Sequence, residues 1–264
     1  MKSQVRSLPR RPAHASPSST EPAHRLTRRK RTRQVGRGEA APLPANGSAP
    51  PLDEYYNSLF TALGPQHWWP GETEFEIIVG AILTQNTSWT NVERAISNLR
   101  SAGLLSPTAI ERAPVRRLEN LIRCSGYFRQ KARKLKAFCR FLRTEYRGSL
   151  KRMFEAPTIA LREKLLGVFG IGPETADSIL LYAGDHPVFV VDAYTKRMLL
   201  RHGWISDTAK YEDVRWMFER QSPGDSRRFS EFHALIVNAG KNFCRTQEPL
   251  CDRCPLGRYL EEGR

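Results

Sequence analysis

A lone carboxylate and a backbone grip, close together in the chain, are the residues here with the most chemistry in them. The carboxylate is Asp192, which follows the apolar run Val188-Phe189-Val190-Val191 and precedes a helical stretch, Ala193 to Arg201. Held beside a sugar, a fixed carboxylate stabilises positive charge as a leaving group departs, and it can orient a water for attack. The plainer use of such a residue is to cap the helix it precedes, which contributes about 1 kcal/mol. The grip is the turn Phe169-Gly170-Ile171-Gly172. Gly170 and Gly172 allow a sharp turn and close approach to a ligand, and Ile171 anchors the turn in a core. Pro173 opens the next helix from its first position, so the helix Leu161–Val168 and its successor form a helix-hairpin-helix. The free N–H groups at that helix start favour an anion such as a phosphate. A Gly-x-Gly turn between helices is also a common connector.

Two other groups of residues carry chemical potential. The first is Gln66-His67-Trp68-Trp69-Pro70, followed by Phe75-Glu76 and by Thr84-Gln85-Asn86-Thr87-Ser88-Trp89. Flat apolar indole faces can hold a planar aromatic group between them, and a cationic one gains extra stacking energy. Trp68, Trp69 and Trp89 are candidates for such faces, with core packing as their competing use. Gln85 and Asn86 carry amides that both donate and accept; Asn86, Thr87 or Ser88 also suits a helix cap. The second group is Cys244-x6-Cys251-x2-Cys254, a thiol spacing suited to an iron–sulfur centre or zinc. Cys124 and Cys139 lie on helical stretches and read as core residues. Five cysteines in total, three of them in this group, exclude a secreted disulfide framework.

The elements that must position these residues are helices. Tyr55, Leu59 and Leu63 form one stripe at helical spacing, and Phe75, Ile78, Val79, Ile82 and Leu83 another. Further helices are expected at Ser88–Ala102, Pro107–Arg112 (capped by Ser106), Val115–Cys124, Gln130–Tyr146, Tyr211–Arg220 and Ser230–Phe243. Strand signals are nearly absent, so the fold class is all-α. The 264 residues are 40% hydrophobic, enough for one large or two small domains, and no apolar run approaches a membrane span. The expectation is a soluble intracellular protein, probed further by its charge. Net charge is +15, and residues 1–50 hold 11 Lys/Arg against 2 Asp/Glu. That stretch, with Arg28-Arg29-Lys30-Arg31 and many Pro, Ser and Ala, reads as a disordered basic arm that meets phosphates without sequence preference. An organelle transit peptide shares its composition.

Taken together, the Gly170-Ile171-Gly172 hairpin, the following loop and Asp192 resemble the signature of the endonuclease III, or helix-hairpin-helix, superfamily of DNA glycosylases. The resemblance covers roughly residues 53 to 260. The Trp68-Trp69-Pro70 and Leu83-Thr84-Gln85-Asn86-Thr87 pattern is closest to the superfamily's 3-methyladenine DNA glycosylase branch. The resemblance implies a two-lobed helical fold with duplex DNA in the cleft. Residues 69–186 would form a helical barrel with the hairpin at 161–183, and residues 51–68 with 187–264 the other lobe. It makes Asp192 the catalytic acid, Gln85 and Asn86 the residues filling the gap left by a flipped base, and Gly170, Ile171 and Gly172 a DNA grip assisted by a monovalent cation. The segment Cys124–Ala132 resembles the family's Gly-aromatic-x-x-Lys-Ala turn, which puts Arg129, Lys131 and Arg133 near phosphates. Members with lyase activity carry a lysine two residues after the second hairpin glycine; Glu174 stands there, implying hydrolysis alone. In the family a fourth cysteine completes a [4Fe–4S] site near Lys241 and Arg245, whereas this chain has Leu260. The implied protein is a monomeric base-excision-repair glycosylase acting on duplex DNA, located in the cytoplasm or nucleoid of a bacterium, or in the nucleus or mitochondria of a eukaryote. An oxidised-pyrimidine glycosylase with lyase activity and a noncatalytic DNA-binding module are the other readings.

Overall fold

The computed structural model describes residues 49–260, so all of the expected basic arm except its last two residues lies outside the described part. Among the described residues there are twelve α-helices and no strand. The all-α expectation holds, and the reason is the periodicity of the buried residues.

The central helix is α2 (Glu74–Leu83), which Thr73 starts by accepting from the Glu76 amide. Phe75, Ile78, Val79, Ile82 and Leu83 are all buried, so α2 is apolar on nearly every side. Around it pack α3 (Trp89–Ser101), α6 (Phe128–Tyr146) and α9 (Pro173–Ser178), which continues as a π-helical turn, Ile179–Ala183. The helices α4 (Pro107–Arg112), α5 (Val115–Leu121) and α7 (Leu150–Phe154) cover α6, while α8 (Thr158–Leu166) packs on α9. A second group forms around α12 (Ser226–Asn242), which Asp225 caps by accepting from the Arg228 amide. It contacts α1 (Leu52–Leu63), α10 (Ala193–Arg201) and the π-helical turn, and α1 also meets α11 (Tyr211–Gln221). Phe189 enters this group, stacked at 3.7 Å on Phe218 and edge-on to Phe229 and Phe232.

Boundaries move where backbone geometry forces them. The helix expected to Cys124 ends at Leu121 and becomes a 3-10 turn, Arg123–Ser125, because Gly126 and Tyr127 adopt φ of 68° and 45°. α12 begins four residues before the expected Ser230, since Asp225 supplies the cap earlier. Ser106 caps α4 as expected.

Candidate active site and nucleic-acid interface

Asp192 is the N-cap of α10. Its Oδ1 accepts from the Thr195 amide at 2.8 Å and from the Thr195 hydroxyl at 3.0 Å. Capping and chemistry are compatible here, because each uses a different oxygen. Oδ2 faces His233 Nε2 at 3.5 Å, and the Asp192 side chain is only 13% exposed. Burial works to raise the carboxyl's pKa, but the His233 imidazole and the Thr195 donors outweigh it, so Asp192 is held below its ordinary value. His233 comes from the buried face of α12 and its Nδ1 lies 2.5 Å from the Tyr182 hydroxyl. The other ring nitrogen, Nε2, is the atom that faces Asp192, 3.5 Å from Oδ2 and without a hydrogen bond of its own.

Glu174, second residue of α9, is exposed to solvent yet near enough to Asp192 and His233 to feel both. Desolvation and then the Asp192 charge push its carboxyl up, with His233 opposing. One carboxylate is thus kept ionised while its neighbour is made easier to protonate. No amine stands in the place occupied by Glu174.

The lysines nearby are occupied. Lys131, expected at a phosphate, is 1% exposed and donates to the Ser125 carbonyl at 2.6 Å, so it does not reach the surface. The cause is the helix start: with α6 running from Phe128, position 131 falls on the inward face with Ala132 and Leu135. Desolvation, with Lys134 nearby, lowers its ammonium to about 8, a property useful to a nucleophile but spent here on a structural carbonyl. Lys196 leans towards the Ala209 carbonyl at 3.4 Å. Lys134, unremarked in the sequence, lies under the hairpin, where a Cβ on Gly170 would collide with its side chain, and donates to Gln85.

The hairpin itself forms as its residues dictate. Gly170 takes φ of 81°, Ile171 is 5% exposed, and Pro173 occupies the first turn of α9. The amides of Gly170 and Gly172 have no backbone acceptor. At the tip Phe169 is exposed and stacks under the Arg133 guanidinium at 4.8 Å. Gln85 is tied back to this hairpin: its amide donates to Thr175 at 2.8 Å and reaches the Gly170 carbonyl at 3.4 Å. Asn86 is the exposed tip of its turn, with φ of 54°. Ser88 occupies the N-cap position of α3 without a side-chain cap, so capping does not account for the residues of this turn. Sequence reasoning passed over Tyr127, which is 67% exposed in left-handed backbone. An aromatic flanked by glycine in an otherwise basic turn was the available signal.

The three tryptophans are half-buried and meet one another. Trp69 is edge-on to Trp89 at 5.1 Å and to Trp68 at 5.8 Å, and it lies 4.9 Å from Tyr182. They gather over Gly80, where any side chain would press on Trp69 and Trp89. Lys241 places its ammonium 5.7 Å over the Trp68 ring, so that face already receives a cation.

At the far end of α10, Cys244, Cys251 and Cys254 line one enclosed cavity together with Arg201, His202, Phe243 and Leu260. Arg201 donates to Cys244 Sγ at 3.2 Å, and Arg197 to the Cys244 carbonyl at 2.7 Å. Burial, and more weakly the other two thiols, raise Cys254. Among the described residues no three ligating side chains converge as a single ion requires. Three thiols on one cavity are donors of the kind that an iron–sulfur group or zinc takes, and Leu260 on the same lining offers no ligand.

Residues 79–223 match the family described as HhH-GPD superfamily base excision DNA repair protein. A protein of Methanocaldococcus jannaschii, named as a candidate DNA repair glycosylase, is 48% identical over 206 residues, spanning 77% of this chain and 93% of that one. Endonuclease III of Sulfolobus acidocaldarius is 28% identical, spanning 71% of this chain and 81% of its own. Among solved structures, a Helicobacter pylori 3-methyladenine DNA glycosylase bound to 1,N6-ethenoadenine superposes with a TM-score of 0.64 at 28% identity, covering 72% of this chain and 97% of the other. A non-covalent endonuclease III–DNA complex superposes with a TM-score of 0.68 at 23% identity, covering 80% and 94%, which supports the fold. The chain belongs to the HhH-GPD superfamily of base excision DNA repair proteins.

Proposed function

We propose that this DNA glycosylase removes an alkylated purine from duplex DNA by hydrolysis alone, with Asp192 as the catalytic carboxylate. The observation that carries the reading is Glu174: a carboxyl, close enough to Asp192 and His233 to feel their charges, stands where the family resemblance puts a lyase's lysine. The hairpin amides at Gly170 and Gly172 grip a phosphate, with a cation shared by hairpin carbonyls, and Arg133 adds a second phosphate contact beside them. Gln85 or Asn86 enters the space left by the flipped nucleotide.

The chemistry asked of the pocket is modest. As the N-glycosidic bond breaks, its electron pair goes to a cationic purine, which leaves neutral, while positive charge grows on the sugar. Asp192 Oδ2, ionised and free of the cap, stabilises that charge. Water then adds to the sugar carbon and gives its proton to Asp192. The electron-rich rings of Trp69 and Trp89, which meet at 5.1 Å, favour stacking of a cationic base. Three thiolates around the cavity would hold an iron–sulfur cluster as a structural clip for the loop carrying Arg245. The cluster would supply no step of the hydrolysis.

Duplexes carrying 3-methyladenine, 7-methylguanine or thymine glycol test the reading, resolved on gels before and after alkali. Release of an alkylated purine, with strand breaks only after alkali, is expected. Release of thymine glycol with breaks before alkali would overturn it.

A further inference from the structure

The segment that delivers Asp192 is held in an unusual way. Val188–Val191 is buried yet belongs to no helix or strand, and no strand neighbours it among the described residues. Buried N–H groups without acceptors are costly, and in a sheet a second strand would supply them. Here helix α11 supplies side chains instead. The Phe189 amide donates to Glu219 Oε1 at 3.0 Å, and the Val191 amide to the Tyr211 hydroxyl at 3.3 Å. Alternate residues of the segment thus reach two acceptors on one helix.

Behind these two acceptors runs a continuous ionic network. Arg215 holds Glu219 at 2.9 Å and Glu212 at 2.9 Å. Arg162, from α8, takes Glu212 at 2.8 Å and both oxygens of Asp177 at 2.6 and 3.0 Å. The Tyr211 hydroxyl also faces Asp177, a fully buried residue on the second helix of the hairpin. The network therefore begins on the DNA grip and ends one peptide from Asp192. A buried ion network is a poor route to stability, since apolar side chains of similar volume often do as well. It is a good route to a fixed geometry, because each charge is held by directional bonds.

We propose that Tyr211 and Glu219 are positioning residues for Asp192, set by Arg162, Asp177 and Arg215, so that the carboxylate is registered against the hairpin. This rests on Asp192 being the catalytic carboxylate. Neither residue touches substrate; both act through the Phe189 and Val191 amides. The consequence is a loss of rate without a loss of DNA binding, since misplacing a reacting group by about 1 Å costs on the order of 100-fold.

The test uses the full chain with Tyr211→Phe, Glu219→Leu and Glu219→Gln, the last keeping an acceptor for Phe189. Three quantities are read: single-turnover base release, duplex Kd, and amide hydrogen exchange at Phe189, Val191 and Thr195. Tyr211→Phe and Glu219→Leu are expected to slow release roughly 10- to 100-fold, with Kd within about twofold of wild type. Exchange at Val191 or Phe189 should quicken while the core helices stay protected, and Glu219→Gln should recover most of the rate. Wild-type exchange at Val191 in Tyr211→Phe overturns the proposal whether or not a substrate has been found. So does a wild-type rate, or a fall in rate matched by an equal loss of affinity. If Asp192→Asn releases base at the wild-type rate while the exchange results stand, the catalytic reading fails and the clamp survives.

Discussion

One helix, α10, joins two regions that are built in opposite ways. At its start, Asp192 has a partner for each oxygen, and the segment before it has side-chain acceptors for its buried amides. At its end, Arg197 and Arg201 reach into a loop of short 3-10 turns whose three thiols surround a cavity. The first region pairs most of its polar groups from within the protein, His233 Nε2 being the exception. The second converges soft ligands on a space that the protein does not fill. The contrast teaches that the Asp192 end is preorganised by the fold itself, while the cysteine end sets three thiols around a cavity.

The largest effect should come from breaking the catalytic end. His233→Gln removes the group that most strongly offsets the burial of Asp192. Base release at neutral pH is expected to fall roughly 100-fold. The sign of the pH effect follows from the same cause: Asp192 is depressed in the native protein, so the rate fails only as acid reaches that depressed value. Without His233, burial dominates, the carboxyl rises, and the acid limb moves to higher pH. A single-turnover pH profile checks this, and an unmoved limb would mean that His233 does not act through Asp192. Stability behaves alike: the contribution from Asp192 is present above its unfolded value and is lost as pH falls through the depressed native one.

A smaller effect is expected at the cysteine end. Protein purified without oxygen should contain iron, and Cys251→Ser should lose it with a fall in thermal midpoint of roughly 5 °C. Cys124→Ser, outside the cavity, should keep the iron and most of the midpoint, because a hydroxyl can replace its thiol as donor to the Asn91 carbonyl. Equal iron and equal midpoint in wild type and Cys251→Ser would show that the socket stays empty.

What could be read from the sequence was local. Gly170, Gly172, Pro173, Ser106 and Asp192 declare turns and caps through their own backbone preferences, and each appears where it was expected. The facing of a helix was harder. Lys131 resembled a phosphate ligand by spacing, yet α6 begins at Phe128 and turns it inward. The clamp on Asp192 was invisible, because Arg162, Asp177, Tyr211 and Glu219 come from three helices and look singly like solvated charges. His233 left a signal that was not used: it interrupts the buried stripe Phe229, Phe232, Leu235 and Ile236, and an imidazole in such a stripe needs a polar partner.

The central claim, hydrolysis by Asp192 without an amine nucleophile, meets its most direct test in borohydride trapping on the lesion duplex that the protein cleaves. The account predicts full base release with no covalent protein–DNA adduct. A trapped adduct would contradict it and make the protein a lyase, and Lys134→Met, Lys196→Met and Lys241→Met would show which amine carries it.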